Sequence, residues 1–200
     1  MHPGLTIDLL RHGETTAGPC FLGATDAPLS DTGWQQMRRA LEDRSCQEII
    51  TSPMKRCADF AQWLAQDKKI RLHIEDDLRE MHFGDWDGQN TEQLWQTQQP
   101  LLEAFWQDPE NNPPPNGEVY GDFRARVNGC FQRLRKNTPG THILLIAHGG
   151  VIRQILASVL CVSLKNIQSL RVDHGSLSRL RCYPDSTSIE FINYQAGGAR

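Results

Sequence analysis

The sequence predicts one α/β domain over residues 1–200, a three-layer α/β/α sandwich whose central, mostly parallel sheet has helices on both faces. Short β-rich runs alternate with helical patterns along the chain, which is the signature of strand–helix–strand units. Residues 143–147 form an apolar run without alternation, as expected of a central strand covered on both faces. A length of 200 residues suits a single domain.

Composition excludes several classes of protein. Hydrophobic residues make up 38% and charged residues 22%, a globular rather than a disordered balance. A net charge of −3 argues against a nucleic-acid partner, which normally meets a basic face. No apolar run approaches the roughly 20 residues of a membrane helix, and residues 1–4 do not resemble a signal peptide. We therefore expect a cytoplasmic protein without a membrane partner, whose six cysteines are reduced.

The elements of the first half follow in order. Residues 5–10 predict a strand, and Ser30 or Asp31 can cap the helix that follows the next loop. Residues 48–51 predict a second strand. Residues 52–53, Ser-Pro, resemble an N-cap with proline at the first helical position, so we expect a helix to begin there.

The second half begins with a predicted strand at 70–74 and an irregular region at 76–118 that contains two short helical stretches. Phe123, Val127, Phe131 and Leu134 recur at helical spacing, and residues 138–140 should end that helix. The central strand, another helix and two final strands complete the order. These last elements are predicted at 143–147, from 149 onwards, 176–182 and 188–193.

Basic side chains follow three of the predicted strands. Arg11 and His12 follow the first strand, Arg56 follows the second, and His148 follows the central strand and opens a helix. Because ligands bind beyond the carboxyl ends of such strands, these groups meet in one crevice if the strands are neighbours. Guanidinium and imidazole groups clustered in this way suit a phosphate group. Singly, either histidine could be a turn residue, and Arg56 could reach a surface carboxylate.

Six segments then resemble, in order, the signature of the histidine phosphatase superfamily, the phosphoglycerate-mutase-like enzymes. They are LRHGET at 10–15, DAPLSDTG at 26–33, SPMKRC at 52–57, LREMHFGDWDG at 78–88, PNGE at 115–118 and AHGG at 147–150. One RHG triplet would be weak evidence, whereas six ordered matches are specific.

The resemblance implies a role for each matched residue. His12 would be the nucleophile that forms a phosphohistidine, and Glu80 would protonate the leaving oxygen and then activate water. Arg11, Arg56 and His148 would hold the phosphoryl oxygens, with the N–H of Gly149 as a further donor. Fixed cationic donors meet the charge of the phosphoryl group, so we expect neither a metal nor a cofactor.

One position departs from the family pattern. The family often has an asparagine three residues after the signature threonine, where it contacts phosphate, but this chain has Gly18. A backbone N–H or Thr25 could supply that contact instead. His2, His73, His142 and His174 have no supporting neighbours in the sequence and are interpreted as structural or exposed. Asp8 and Glu14 are expected to be solvated or to pair with the basic cluster.

The phosphoglycerate mutases of the family have an extra segment over the site with more basic groups, whereas the region between Glu80 and Glu118 is short and has few basic residues. The resemblance therefore implies hydrolysis rather than mutase chemistry. Within the family, the sequence resembles the bacterial α-ribazole phosphatases. These remove the 5′-phosphate of α-ribazole phosphate during assembly of the cobalamin nucleotide loop. Alternatives are a broad-specificity phosphatase, a phosphoglycerate mutase, or a non-catalytic phosphate-binding module. The expected partner is a small phosphorylated metabolite, and a homodimer is also considered.

A variable segment at about 86–120 is expected to cover the substrate. Its aromatic residues suit a stacked heterocycle, although helix packing is the more common role of such residues. These residues are Trp86, Trp95, Phe105, Trp106 and Tyr120. His82 and Glu118 are further candidate substrate contacts.

Overall fold

A computed structural model describes residues 4–137 and 142–196, with residue 137 described by its backbone alone. Its six-stranded sheet has the order β3-β2-β4-β1-β5-β6. The strands are β1 Leu5–Arg11, β2 Glu48–Thr51, β3 Arg71–Ile74, β4 His142–Ala147, β5 Leu177–Cys182 and β6 Thr187–Tyr194. The first four strands are mutually parallel, while β5 runs antiparallel to β1 and β6 antiparallel to β5. The predicted fold class is confirmed, with an antiparallel edge that the sequence did not predict.

Helices cover both faces of the sheet. They are α1 Asp31–Ala40, α2 Lys55–Lys68, α3 Thr91–Gln107, α4 Tyr120–Asn137 and α5 Gly149–Leu160. In β4, Leu144 and Ile146 pack with α1 and α2 in one core, while Ile143 and Leu145 pack with residues of α3, α4 and α5 in the other. This alternation explains the continuous apolar run, because both faces of β4 are buried. The predicted helix end at 138–140 lies outside the described residues.

The start of α2 differs from the prediction. The helix begins at Lys55, and its N-cap is Met54 rather than Ser52. Asp26 provides the cap from a distant loop, because its Oδ1 accepts the Lys55 N–H at 2.7 Å. A carboxylate there also complements the helix dipole. Ser52 is buried and is used elsewhere, at His148.

The irregular region at 76–118 contains one kinked helix, α3. Gln98 interrupts α3 with φ −136° and ψ 25°, two residues before Pro100. Proline removes a helical hydrogen bond and clashes with the preceding turn, which accounts for the break. The structure thus has one long, kinked helix in the region where the sequence analysis expected two short helical stretches.

Strand order brings the three basic clusters together. Arg11 lies opposite Ala147 at the ends of β1 and β4, and the His12 N–H donates to the Ala147 carbonyl at 2.9 Å. Beside them, the Ser52 N–H donates to the Ile146 carbonyl at 3.0 Å. Because β1, β4 and β2 are parallel neighbours, their carboxyl ends form one edge, as the sequence predicted.

A buried ion cluster supports the middle of β1. Asp8 is 2% exposed, and Arg179 on β5 donates to its two oxygens at 2.6 and 2.8 Å. His142 lies 3.0 Å from the same carboxylate. Burial alone would raise the pKa of Asp8, but Arg179 and His142 hold it below its ordinary value. Asp8 is therefore neither solvated nor paired with the basic cluster, because β5 brings its counter-charge.

We expect Arg179→Met to lower the free energy of unfolding by about 3 kcal/mol, because it leaves a buried carboxylate with a weakened counter-charge. Arg181→Met is the matched control on the same strand, and its exposed pair with Glu190 should cost no more than about 1 kcal/mol. Urea denaturation measures both. Equal losses would contradict the buried-pair explanation.

Candidate active site

His12 directly follows β1, and the residue is 6% exposed. Its Nδ1 lies 2.8 Å from the Gly13 carbonyl oxygen. A carbonyl only accepts hydrogen bonds, so Nδ1 carries the proton and Nε2 keeps a free lone pair. Burial, followed by the charges of Arg11 and Arg56, lowers the pKa of His12 well below 6.5. The ring is therefore a neutral imidazole with a nucleophilic Nε2 at neutral pH.

His148 is fully buried and has the opposite tautomer. Arg56 Nε can only donate, and it lies 3.2 Å from His148 Nδ1. The proton is therefore on Nε2, which donates to Ser52 Oγ at 2.7 Å. Burial and the charge of Arg56 lower the pKa of His148 well below 6.5. The two rings meet edge to face, with centroids 5.2 Å apart.

Arg11 has one buried N–H donor, on Nε, that is not used by the described residues. Its Nη1 donates to the Val172 carbonyl at 2.7 Å, but no described residue accepts from the buried Nε. Burial and then the charge of Arg153 lower its pKa to about 10, so the group stays charged at neutral pH. A Cβ at Gly149 would lie 3.3 Å from this Nε. The unused donor and the start of α5 together suit an anion.

Arg56 is held mainly by backbone oxygens. Its Nη2 donates to the carbonyls of Leu22 and Gly23 at 2.6 and 3.1 Å, and its Nη1 to that of Thr25 at 3.0 Å. With Nε on His148, four of its five N–H donors are paired. The side chain thus tethers residues 22–25 to the site, and one N–H on Nη1 is left for a ligand.

Glu80 reaches the same edge from the segment after β3. Its Oε2 accepts the Gly150 N–H at 2.9 Å, and its Oε1 accepts the Met81 N–H at 3.1 Å. A Cβ at Gly150 would overlap the carboxylate of Glu80. Glycine at this position therefore lets the carboxylate lie against the start of α5.

The sequence analysis missed three residues of this site. Ser52 accepts from His148, as described above. His174, interpreted as structural or exposed, has its ring centroid 5.4 Å from that of His12, and burial and Arg11 lower its pKa to about 4. Its position follows from β5, whose first residue pairs with Leu10 at the end of β1. The strand prediction did not include that pairing.

Arg153 is the third missed residue. Its Nε donates to the Leu170 carbonyl at 3.0 Å, and burial lowers its pKa. Its Nη1 lies 3.3 Å from the position of a Cβ at Gly149, on the side of the active site. Among the described residues, no carboxylate forms an ion pair with it. The sequence did not indicate that Arg153 lies beside the active site, because a charged residue at this point of a helix is typical of a surface position.

Two recesses flank Glu80. One is a cavity of about 80 Å³ whose lining includes Glu80, Phe83, Phe105, Trp106, Tyr120 and Arg153. The other is a groove whose lining includes His82 and Glu118. The segment at 86–120 thus supplies three of the cavity's aromatic residues, whereas Trp86 is buried in the core and Trp95 is exposed to solvent.

Three further observations bear on the predictions from the sequence. Gly18 lies in an exposed turn with φ +70°, and nothing described lies within 4 Å of a Cβ built there. Over residues 4–137 and 142–196, no group of three or more His, Cys, Asp or Glu side chains is arranged to hold a metal ion. In the same ranges, no helix combines the length and apolar character needed to cross a membrane.

Residues 7–195 match the histidine phosphatase superfamily (branch 1). The chain belongs to this superfamily. It is 27% identical over 195 residues to the adenosylcobalamin/alpha-ribazole phosphatase of Escherichia coli, which covers 95% of this chain and 96% of that protein. The crystal structure of the alpha-ribazole phosphatase from Shigella flexneri has a TM-score of 0.83 at 27% identity, with 98% and 99% of the two chains covered.

A mycobacterial glucosyl-3-phosphoglycerate phosphatase is similar to a comparable degree. Its native structure has a TM-score of 0.83 at 25% identity and covers 96% of this chain and 100% of that one. The histidine phosphatase assignment and the phosphatase-named relatives make this chain a phosphatase, as the six ordered segments indicated. The similar scores of relatives with different substrates do not distinguish between those substrates.

We expect His12 to remain a neutral Nδ1–H imidazole at pH 6, where a free histidine of pKa about 6.5 is mostly charged. Ring ¹⁵N shifts in NMR measure this, with His12→Gln and His148→Gln for assignment, and His148 should show the opposite tautomer. A titration midpoint of His12 near its ordinary pKa would contradict the burial argument.

We expect Gly150→Ala to lower kcat/KM about 100-fold, a typical effect of displacing a reacting group by about 1 Å. The three atoms nearest to the new Cβ all belong to the flexible end of Glu80, so the melting temperature should change little. Gly121→Ala is the control, because nothing described lies within 4 Å of its Cβ. Equal activities of the two variants would show that the position of the Glu80 carboxylate does not matter.

Proposed function

We propose that this phosphatase hydrolyses phosphomonoesters through a phosphohistidine formed at His12 Nε2. The observation that carries the proposal is the state of His12, a neutral ring whose Nδ1–H is fixed on the Gly13 carbonyl among positive charges. A lone pair on Nε2 is nucleophilic, while the surrounding cations attract the phosphate group that it attacks.

In the first step, the Nε2 lone pair attacks phosphorus and the bond between phosphorus and the ester oxygen breaks. Protonated Glu80 gives its proton to the departing oxygen, so that an alcohol leaves rather than an alkoxide. The Nε of Arg11, the remaining N–H of Arg56 and the Gly149 N–H stabilise the phosphoryl oxygens. His148, predicted to hold a phosphoryl oxygen itself, has both ring nitrogens engaged by Arg56 and Ser52 and instead orients Arg56.

In the second step, the Glu80 carboxylate accepts a proton from water as the water oxygen attacks phosphorus. The bond between phosphorus and Nε2 breaks, its electron pair returns to His12, and inorganic phosphate forms. Glu80 thus ends protonated, as it began, and the cycle balances without an added metal ion or cofactor.

We propose α-ribazole 5′-phosphate as the substrate. Two of the relatives described above are alpha-ribazole phosphatases by name, and they align over nearly the whole chain. The wall formed by Phe83, Phe105 and Trp106 beside Glu80 suits the flat ring of a benzimidazole. The phosphorylated metabolite would thus place its phosphate at His12 and its base in the aromatic cavity.

A broader or different phosphatase specificity is the second candidate, and Arg153 favours it. A guanidinium in the cavity wall without a carboxylate partner suits a leaving group that carries its own negative charge. The mycobacterial glucosyl-3-phosphoglycerate phosphatase, by its name, acts on such a compound. Phosphoglycerate mutase activity and non-catalytic phosphate binding complete the alternatives for the test.

The test measures phosphate release, with EDTA present, from α-ribazole 5′-phosphate, nucleoside 5′-monophosphates, 3-phosphoglycerate and fructose 2,6-bisphosphate. We expect α-ribazole 5′-phosphate to have the highest kcat/KM and His12→Ala to lose at least about 10⁴-fold. An acid-labile, alkali-stable phosphoenzyme should be trapped in the wild type alone.

Each contrary outcome removes a defined part of the proposal. Equal turnover by His12→Ala, or activity abolished by EDTA, would overturn the phosphohistidine mechanism. His12-dependent turnover that favours another ester would keep the mechanism and exclude α-ribazole phosphate. Transfer to an added acceptor that outruns hydrolysis would indicate a mutase, and tight binding without turnover a phosphate-binding module.

A further inference from the structure

Arg126, on α4, uses its whole guanidinium group to hold the segment that carries Glu80. Its Nη1 donates to the carbonyls of Asp77 and Arg79 at 2.9 and 2.7 Å, and its Nη2 donates to that of Glu80 at 3.1 Å. Its Nε and Nη2 donate to the two oxygens of Glu118 at 2.7 and 2.8 Å. All five N–H donors of the guanidinium are therefore paired.

Glu118 connects to the same segment from the other side. Its Oε2 also accepts the backbone N–H of His82 at 3.2 Å, and its own N–H donates to the His82 carbonyl at 2.8 Å. The side chains of Arg126 and Glu118 are 21% and 18% exposed, so their pair is partly shielded from water. Residues on both sides of Glu80 are thus bound to one ion pair.

These contacts revise the reading of Glu118 from the sequence. As a candidate substrate contact it would need a free carboxylate facing the groove, but both of its oxygens already accept hydrogen bonds from Arg126. Its partner, Arg126, lies eight positions further along the chain, and nothing in the sequence indicated that the two side chains pair.

We propose that Arg126 and Glu118 are positioning residues that fix the backbone of Glu80, so that its carboxylate reaches the leaving oxygen of the substrate. Three carbonyls held by one planar cation leave residues 77–80 little freedom to shift. The Gly150 and Met81 N–H groups then orient the carboxylate itself. Supporting contacts of this kind determine how closely an acid approaches its target.

The inference rests on the proposed acid role of Glu80, so the experiment separates the two. Phosphorylation of His12 releases the alcohol, and kcat/KM reports the steps up to that release. A p-nitrophenolate ion leaves readily without a proton, whereas the 5′-oxygen of ribose 5-phosphate needs one. A misplaced Glu80 must therefore lower kcat/KM much more for ribose 5-phosphate than for p-nitrophenyl phosphate.

We expect Arg126→Met to lower kcat/KM about 100-fold for ribose 5-phosphate and less than about 5-fold for p-nitrophenyl phosphate. Glu118→Gln should show the same selectivity, because its amide group places N–H donors against those of Arg126 or His82. Arg126→Lys should recover little of the kcat/KM for ribose 5-phosphate that Arg126→Met loses, since an ammonium group cannot match the five donors of a guanidinium.

Arg133→Met is the matched control. Arg133 lies on the same helix and pairs with Glu75 and Asp77 of the same segment, at 3.2 and 2.7 Å, but makes no contact with Glu80. It should therefore leave the ratio of the two kcat/KM values unchanged. Thermal unfolding of each variant shows that the fold is retained. If Arg126→Met does not fold, Glu118→Gln supplies the deciding ratio.

Glu80→Gln distinguishes the possible failures. If it lowers kcat/KM equally for both esters, Glu80 is not the acid and the proposed mechanism fails. If Glu80→Gln is selective but Arg126→Met and Glu118→Gln lower both esters equally, or match Arg133→Met, the acid role stands and the positioning inference is overturned.

Discussion

Two imidazoles and two guanidiniums share one buried edge of the sheet, and their mutual repulsion constrains the rest of the site. The arrangement is stable only if both rings stay neutral, which burial and the neighbouring cations enforce. Each ring then has one proton, and its neighbours decide where that proton lies. The Gly13 carbonyl fixes it on Nδ1 of His12, while Arg56 directs it to Nε2 of His148. His12 Nε2, the proposed nucleophile, thus has a free lone pair in the protein by itself.

Most of the fold could be predicted because its signals are local. The apolar run of β4 and the Ser30 cap of α1 lie within short stretches, and each element formed close to its predicted range. The error at α2 shows where local signals fail. Ser52 and Pro53 look like a helix start, but Asp26 caps α2 from a distance and Ser52 binds His148. Only the folded chain brings those groups together.

The same distinction separates the predicted and missed site residues. His12, Arg56 and His148 follow strands, so their placement depends on strand order alone. His174 depends on the antiparallel pairing of β5. Arg126 depends on three hydrogen bonds to carbonyls 46 to 49 positions away, and on two more to Glu118, eight positions away. Glu118 was recognised by resemblance, but its contacts could be read only from the structure.

The kink at Gln98 divides α3 into two halves with different neighbours. At the break that Pro100 causes, the Trp86 Nε1–H donates to Gln98 Oε1 at 2.8 Å. Phe105 and Trp106, beyond the kink, line the cavity beside Glu80. The proposed phosphate-binding side chains Arg11 and Arg56 belong to β1 and α2, not to α3. Mutation and selection can therefore reshape the second half of α3 without disturbing His12 or Arg11. Specificity for new leaving groups can therefore evolve in this part of the molecule while the proposed phosphoryl-transfer site stays unchanged.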